Sequence, residues 1–538
     1  MSDPIKTITF ISVAILCAIG VFLNMPTLNE LEEGDPTGKM LLPKFTDPLA
    51  VTSLSITKYN EKTGNVVPFK VAMVDGVWQI TSHENYPADA AEHLAKAASL
   101  LSKLKILGLA SEEAGSQEAY GVIDPTDKNL GAGVTGVGMR VVLKDAKDNT
   151  LADVIIGEVD PAQPDIRYVR RTNQEMVFSV KLQTEVFSTK FNDWIEKDLL
   201  KMNVLDIRDI FIEDYNLDVV RGVQSPNGKL AVRYDPMAEG DKWILLENLD
   251  FDRTGGGWVS RPLESHEMLN ADLLQQMKTA LEDLKIVDVV RKPAGLSAEL
   301  VAEKTLIDDE EAVKSLALHG FYMAEVGGQK GIYSNEGEIG ILMNDGVEYV
   351  LRFGSIALNS RAAANSEADG DQKGSEADKD TDASGMNRYL LVTARFNLAT
   401  IPRPKLEPLP PLPEEGAETP AAEDGSEKEK PADAADAEPT LEEVKAKREQ
   451  IERDNQWKQD EYNEKVAAGQ KRVEELNARF ADWYYVISEN VFKKLHLTQK
   501  ELIKIRQPEA NGTSAPGSNP LSPLSPGLLQ HLQKGIDK

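Results

Sequence analysis

Arg167, Arg170 and Arg171 form a basic cluster in an acidic chain, set near the acids Asp160 and Asp165. Guanidinium groups along one strand could hold an anionic partner or glycan through paired hydrogen bonds, and the competing reading is charge balance against those acids. Gly131, Gly133 and Gly136 spell the G-x-G-x-x-G of a dinucleotide loop. Such a loop needs a strand before it and a helix after it. Here polar residues 124–129 precede it and a strand-like run at 139–143 follows, so a flexible loop is expected. Asp378, Asp380 and Asp382 open like a calcium loop, but Ala383 stands where glycine is needed and Tyr389 where the last glutamate belongs. A solvated acidic stretch is the better reading. The six histidines (His83, His93, His266, His319, His496 and His531) show neither H-x-x-x-H nor H-E-x-x-H spacing, and no serine lies in a G-x-S-x-G elbow. The single cysteine, Cys17, excludes an intrachain disulfide and a thiolate metal site. No catalytic residue, cofactor or metal is expected.

The 538 residues allow two to four domains. A net charge of −28 argues against nucleic acid, which needs clustered Lys and Arg to neutralise phosphate. It argues equally against adhesion to an anionic lipid surface. Residues 7–23, TITFISVAILCAIGVFL, carry no charge. At 1.5 Å per residue they reach roughly 25 Å, the short end of a membrane span. Lys6 precedes them, while Glu30, Glu32, Glu33 and Asp35 follow. The positive-inside rule then leaves 1–6 as a cytoplasmic stub and puts everything after the span outside. A single-pass protein with its bulk periplasmic or extracytoplasmic is expected, joined to the anchor by a linker at 24–46.

An internal repeat organises the rest. Trp78 in DGVWQI and Trp258 in GGGWVS each follow a glycine-containing turn. The run 101–109, LSKLKILGL, aligns with 281–289, LEDLKIVDV, so that Leu104, Lys105 and Ile106 match Leu284, Lys285 and Ile286 at the offset that relates the two tryptophans. Helical stripes lead into both runs: Leu94, Ala97, Leu101 and Leu104, then Leu273, Leu274, Met277, Leu281 and Leu284. With drifting spacing, Tyr120-Gly121 corresponds to His319-Gly320, the strand ending at Gly157 to the one ending at Gly354, and Arg167-Tyr168-Val169 to Arg388-Tyr389-Leu390. The expected fold is α+β: two tandem copies of a mainly antiparallel sheet with a helix, at 47–200 and 204–498.

Two insertions interrupt the second copy. Residues 360–385 are rich in Ala, Asp, Glu and Ser and read as disordered. Residues 398–480 begin with a stretch rich in Pro and acids and end in a charged helix of about 60 Å, opened by a T-x-x-E cap at Thr440 and Glu443. The stripe Tyr462, Val466, Val473, Leu476 and Phe480 makes that helix apolar only in its C-terminal half, so its first half is expected to project freely. Tyr462, Val466 and Val473, with Arg167, Arg170 and Arg171, are the candidate partner-binding residues. Residues 499–538 read as a disordered tail.

The run from W-x-I at Trp78, through K-L-K-I at 103–106, Tyr120-Gly121-Val122-Ile123-Asp124-Pro125, Ile156-Gly157 and Arg167-Tyr168-Val169, resembles domain of unknown function 4340. The resemblance covers 47–200 well. It is looser over 204–400 and 481–498, where no clear Y-G-x-x-x-P element stands. It implies a bacterial envelope protein with one membrane span, often associated with ABC-type or gliding-motility transport systems, and it assigns no catalytic residues. The functional expectation is a non-catalytic, membrane-tethered scaffold or accessory subunit whose partners are envelope or transporter proteins. The alternative is a binding protein for an envelope polysaccharide or small ligand, held in a cleft between the copies; a hydrolase is the third reading.

Overall fold

The computed structural model describes residues 36–218, 221, 223–293, 296, 300, 308–326, 329–357, 386–412 and 441–506. The first half contains β1 (Val51–Asn60), β2 (Asn65–Val74), β3 (Val77–Ile80), β4 (Tyr86–Pro87), helix α1 (Ala91–Ser102), β5 (Ile106–Ser111), β6 (Met139–Asp145), β7 (Thr150–Asp160), β8 (Gln163–Arg171) and β9 (Val177–Lys181). The second contains β10 (Ile207–Asp218), β11 (Val223–Tyr234), β12 (Trp243–Asp252), β13 (Gly257–Ser260), β14 (Glu267–Leu269), α2 (Ala271–Glu282), β15 (Asp288–Arg291), α3 (Glu310–Leu318), β16 (Phe321–Val326), β17 (Gln329–Ser334), β18 (Glu338–Met343), β19 (Val347–Ile356), β20 (Asn387–Phe396), α4 (Leu441–Phe480), β21 (Trp483–Ser488), α5 (Glu489–Leu495) and β22 (Ile503–Ile505).

The architecture is α+β, with two nine-stranded antiparallel sheets. Their strand orders are β4-β3-β2-β1-β6-β7-β8-β9-β5 and β13-β12-β11-β10-β18-β19-β20-β21-β15. Each thus runs from outer hairpins through its opening strand to a meander, and ends on the strand that follows its helix. That helix buries its apolar stripe on the sheet: Leu94, Ala97 and Leu101 from α1, and Leu274, Met277 and Leu281 from α2. The same pair of backbone bonds then ties each helix exit to a lead-in segment. The Leu41 amide donates to Leu104 O at 2.7 Å and the Ile106 amide to Lys39 O at 3.0 Å. In the second half the Leu199 amide donates to Leu284 O at 3.3 Å and the Ile286 amide to Lys197 O at 3.0 Å. The lead-ins therefore begin earlier than expected, before 47 and before 204.

A second junction also occurs twice. The Glu158 amide donates to Tyr120 O and the Ser355 amide to His319 O, both at 3.0 Å. A Cβ on Gly157 or Gly354 would collide with those same carbonyls, so only glycine admits the crossing loop. Arg167 donates to Gly157 O at 3.1 Å and Arg388 to Gly354 O at 2.8 Å. Tyr168 and Tyr389 meet Tyr120 and His319 edge-on at 4.6 and 4.5 Å.

The two tryptophans do not share a face. Trp78 packs against the core, while Trp258 is 39% exposed and lies under the Lys229 ammonium at 5.1 Å. β13 lies one strand farther from its opening strand than β3 does, and a bulge at Ala231/Val232 shifts the β11–β12 register. A one-residue shift turns a side chain to the other face of a sheet.

Three expectations fall on other residues. The anchor at 7–23, the acidic insertion with Asp378, Asp380 and Asp382, and the acid-rich stretch at 413–440 lie outside the described residues. No helix among the described residues is long and apolar enough to cross a membrane. The expected tail is corrected at its start: Leu502 is buried and accepts from the Asn270 amide at 2.8 Å, and β22 pairs with β14.

Candidate functional site

The long helix α4 presents one continuous inner face. Its C-terminal half packs on the second sheet, where Leu476 and Phe480 enter the core and Val473 packs against it. The Asn477 side chain fills the place of a neighbouring strand, donating to Ala394 O at 2.7 Å and accepting from the Ala394 amide at 2.8 Å. Tyr462 and Val466 are half-buried farther up the same face. Beyond them the face turns polar, and this half does not project freely as expected. The extended segment 401–412 is strapped along it. Asn455 donates to Glu407 O and accepts from the Glu407 amide, both at 2.8 Å. Lys458 reaches the Glu407 carboxylate at 3.0 Å, and Arg448 donates to Pro410 O at 2.7 Å. Helix and strap together form an arm. On it Leu406, Leu409 and Leu412 are 52%, 38% and 49% exposed, and Trp457 is 66% exposed. Trp457 lies two and a half turns from Arg448, which puts it on the far side of the helix from the strap.

The base of α4 also locks the two halves together. Arg479 donates to Asp198 O at 2.6 Å and Glu196 O at 3.2 Å, Arg472 to Lys201 O at 2.5 Å, and the Tyr349 hydroxyl to Leu200 O at 3.0 Å. Four carbonyls of the connecting segment are thus held by side chains of the second half, which removes its freedom as a hinge. The spacing that places Arg472 and Arg479 two turns apart on one helix face is the signal the sequence carries for this joint. Leu476 and Phe480 share that face, so the helix cannot be removed whole without opening the core.

Beside this joint lies a cleft of about 770 Å³. Its walls carry Asp75, Asp89, Lys201, Arg291, Arg479 and Asp482. Arg291 pairs with Asp482 at 3.1 Å and Lys201 with Glu196 at 3.5 Å. One guanidinium nitrogen of Arg479 is buried without a hydrogen-bond partner among the described residues. Tyr86 and Trp483 meet edge-on at 4.9 Å along the floor, both buried. Burial raises the Tyr86 phenol pKa, against the pull of the Arg479 cation. The cleft offers paired charges and amides to a polar ligand, and Arg291 covers the Trp483 ring at 5.6 Å from its centre.

The arginine cluster does not form one rim. Strand alternation sends Arg170 to the face opposite Arg167 and Arg171. Arg170 is 7% exposed and donates to Val122 O and Gln174 O, both at 3.1 Å; burial lowers its pKa. Arg167 is engaged with Gly157 O, and Arg171 lies over the Phe178 ring at 5.3 Å. The acids cited as their counterweights have other partners. Asp160 accepts from the Tyr168 hydroxyl at 3.0 Å and Asp165 pairs with Lys181 at 3.0 Å.

The remaining candidates resolve into packing. The glycine-rich loop lies on the β1–β2 turn, where the Tyr59 hydroxyl donates to Gly131 O at 2.6 Å and the Gly133 amide to Glu61 O at 2.7 Å. His83 stacks on Phe191 at 4.9 Å, and a His93 ring nitrogen lies 2.8 Å from Val186 O. Among the described residues, no three His, Cys, Asp or Glu side chains converge as metal ligands.

No curated protein and no solved structure matches the chain. The family model described as Domain of unknown function (DUF4340) matches residues 78–300. That span opens in β3 and ends past β15, so it takes in most of the first sheet and the opening hairpins and helix of the second. Over residues 78–300, therefore, the chain is similar to the Domain of unknown function (DUF4340) family.

Proposed function

We propose that the chain is a non-catalytic, membrane-tethered extracytoplasmic scaffold or accessory subunit, built from two copies of one module and carrying a docking arm. The observation that carries this reading is the arm itself. A helix and strap stand on a rigid two-sheet base with leucines and a tryptophan exposed. Leu406, Leu409 and Leu412 recur every third residue along one exposed edge, and contiguous exposed apolar surface of that kind marks interaction sites. The copy reading is supported by the shared strand order, the paired lead-in bonds at Leu41/Leu199 and the glycine crossings at Gly157/Gly354. Tethering rests on the apolar run at 7–23, and the partner class, envelope proteins including subunits of an ABC-type transporter, rests on the family resemblance alone.

Because Leu476, Phe480 and Arg479 serve the base, the arm should be shortened rather than deleted. Replacing residues 404–461 by a short Gly/Ser bridge keeps the packed half of α4. The expected outcome is an unchanged thermal unfolding midpoint and loss of partners from a mild-detergent pull-down that the full chain performs at near-stoichiometric yield. Equal recovery by both chains removes the arm from the mechanism.

A second reading, a small polar ligand in the inter-half cleft, is favoured by its volume and by the unpartnered guanidinium nitrogen of Arg479. A full-length chain recovered without any partner favours it over the scaffold.

A further inference from the structure

We infer that the strap at 401–412 is a preformed polyproline II ligand, docking into an aromatic-lined groove of a partner protein. The inference rests on the arm reading and names the partner's chemistry. The segment runs Ile-Pro-Arg-Pro-Lys-Leu-Glu-Pro-Leu-Pro-Pro-Leu. Proline fixes φ near −65° and drives the residue before it into extended or polyproline II conformation. Pro402, Pro404, Pro408, Pro410 and Pro411 therefore confine nearly every position of the segment.

Polyproline II has three residues per turn and rises about 3.1 Å per residue. From Glu407 to Pro410 it should advance about 9 Å. Their helix partners, Asn455 and Arg448, lie seven residues apart, which is about 10.5 Å of α-helix. The two rises match, so strap and helix run in step.

The threefold period assigns the faces. Pro404, Glu407 and Pro410 form the edge toward α4; Pro404 and Pro410 are half-buried, and Glu407 and Pro410 carry the bonds to the helix. The other two edges, Lys405-Pro408-Pro411 and Leu406-Leu409-Leu412, are exposed throughout. Those two edges form the base of a triangular prism presented to solvent. Their residues spell a cation followed by x-x-P-x-x-P, at Lys405, Pro408 and Pro411. Grooves lined with aromatic side chains recognise PxxP segments in this conformation because little entropy remains to be lost on binding. An acidic residue at the groove's end would meet Lys405. A β-strand edge fits the segment less well, since its prolines have no amide proton to donate.

The test uses the full-length chain in detergent, titrated calorimetrically with a panel of purified SH3-fold and WW-fold domains as probes. At least one domain should bind, competed by a synthetic peptide of residues 401–412. The Pro408→Ala/Pro411→Ala double variant should weaken that binding by roughly tenfold or more. These two prolines do not face α4, so thermal unfolding should be unchanged, and Lys405→Glu gives an independent loss without touching a proline. No binding by any probe, or binding that ignores both variants, overturns the inference. A pull-down partner lost on shortening the arm yet indifferent to both variants overturns it too, while leaving the scaffold reading in place.

Discussion

Glu489→Gln is expected to destabilise the second half by about 3 kcal/mol, read as a fall in the urea unfolding midpoint. Glu489 opens α5 at 5% exposure, and Arg388, on β20, is 8% exposed. The Arg388 Nε donates to the Glu489 carboxylate at 2.9 Å. The guanidinium is enclosed further by Gly354 O at 2.8 Å and by the Phe492 ring at 3.8 Å from its centre. The amide keeps the shape and one acceptor but removes the charge, which leaves a buried cation with only the partial help of Glu336 at 3.4 Å. Desolvation makes that cation costly, and removal of one partner of a buried pair is the costly direction. Replacing both, as Arg388→Met with Glu489→Leu, should restore most of the midpoint. An unchanged midpoint in the single variant would mean that the pair is solvated or replaceable.

Lys292→Met is expected to stabilise the protein by about 3 kcal/mol at pH 7 and by almost nothing above pH 10.5. Lys292 is 7% exposed, and its ammonium nitrogen has no hydrogen-bond partner among the described residues. Burial pushes its pKa from 10.5 down to about 8, against the pull of Asp482. Below about pH 8 the lysine is charged in both folded and unfolded chains, and the folded one bears the full desolvation penalty. Between about 8 and 10.5 the unfolded chain holds the proton that the folded chain has released, so native stability rises with pH. Above 10.5 both are neutral and the penalty is gone. Methionine removes the charge and keeps the length, so the variant should lose this rise. Chemical unfolding at pH 7, 9 and 11 measures it. Parallel stability curves for the two proteins would show that the lysine finds a partner.

Much of the architecture was legible. The offset linking Leu104 and Ile106 to Leu284 and Ile286 marks positions where the two halves make the same backbone bonds, because those residues fix how a helix exit joins its sheet. The same offset misled at Trp78 and Trp258, since one bulge and one added strand turn a side chain to the opposite face while the sequence still aligns. Arg167, Arg170 and Arg171 looked like one cluster in one dimension; alternation along β8 separates them, and burial commits Arg170 to internal carbonyls.

The arm was half legible. Of its apolar stripe, Val473, expected to meet a partner, instead packs against the core beside Leu476 and Phe480. Its polar half looked unpartnered, because its partner is a strap that bonds through Arg448, Asn455 and Lys458 rather than through hydrophobic side chains. The joint is marked in the sequence on one side only, by the spacing of Arg472 and Arg479. Backbone carbonyls of residues 196–201 leave no mark in a sequence, and the arginines that hold them lie on a helix already crowded with charge.

The central claim is that the arm contacts a partner in the membrane-bound state. Its most direct measurement is photocross-linking of the full-length chain in its native membranes, with a benzophenone amino acid at Leu406 or Trp457 on the arm and at Lys62 on the β1–β2 turn as control. Discrete adducts of one size from the arm positions, and none from Lys62, are the predicted result. Adducts from Lys62 alone, or no adduct from either arm position, would contradict the account.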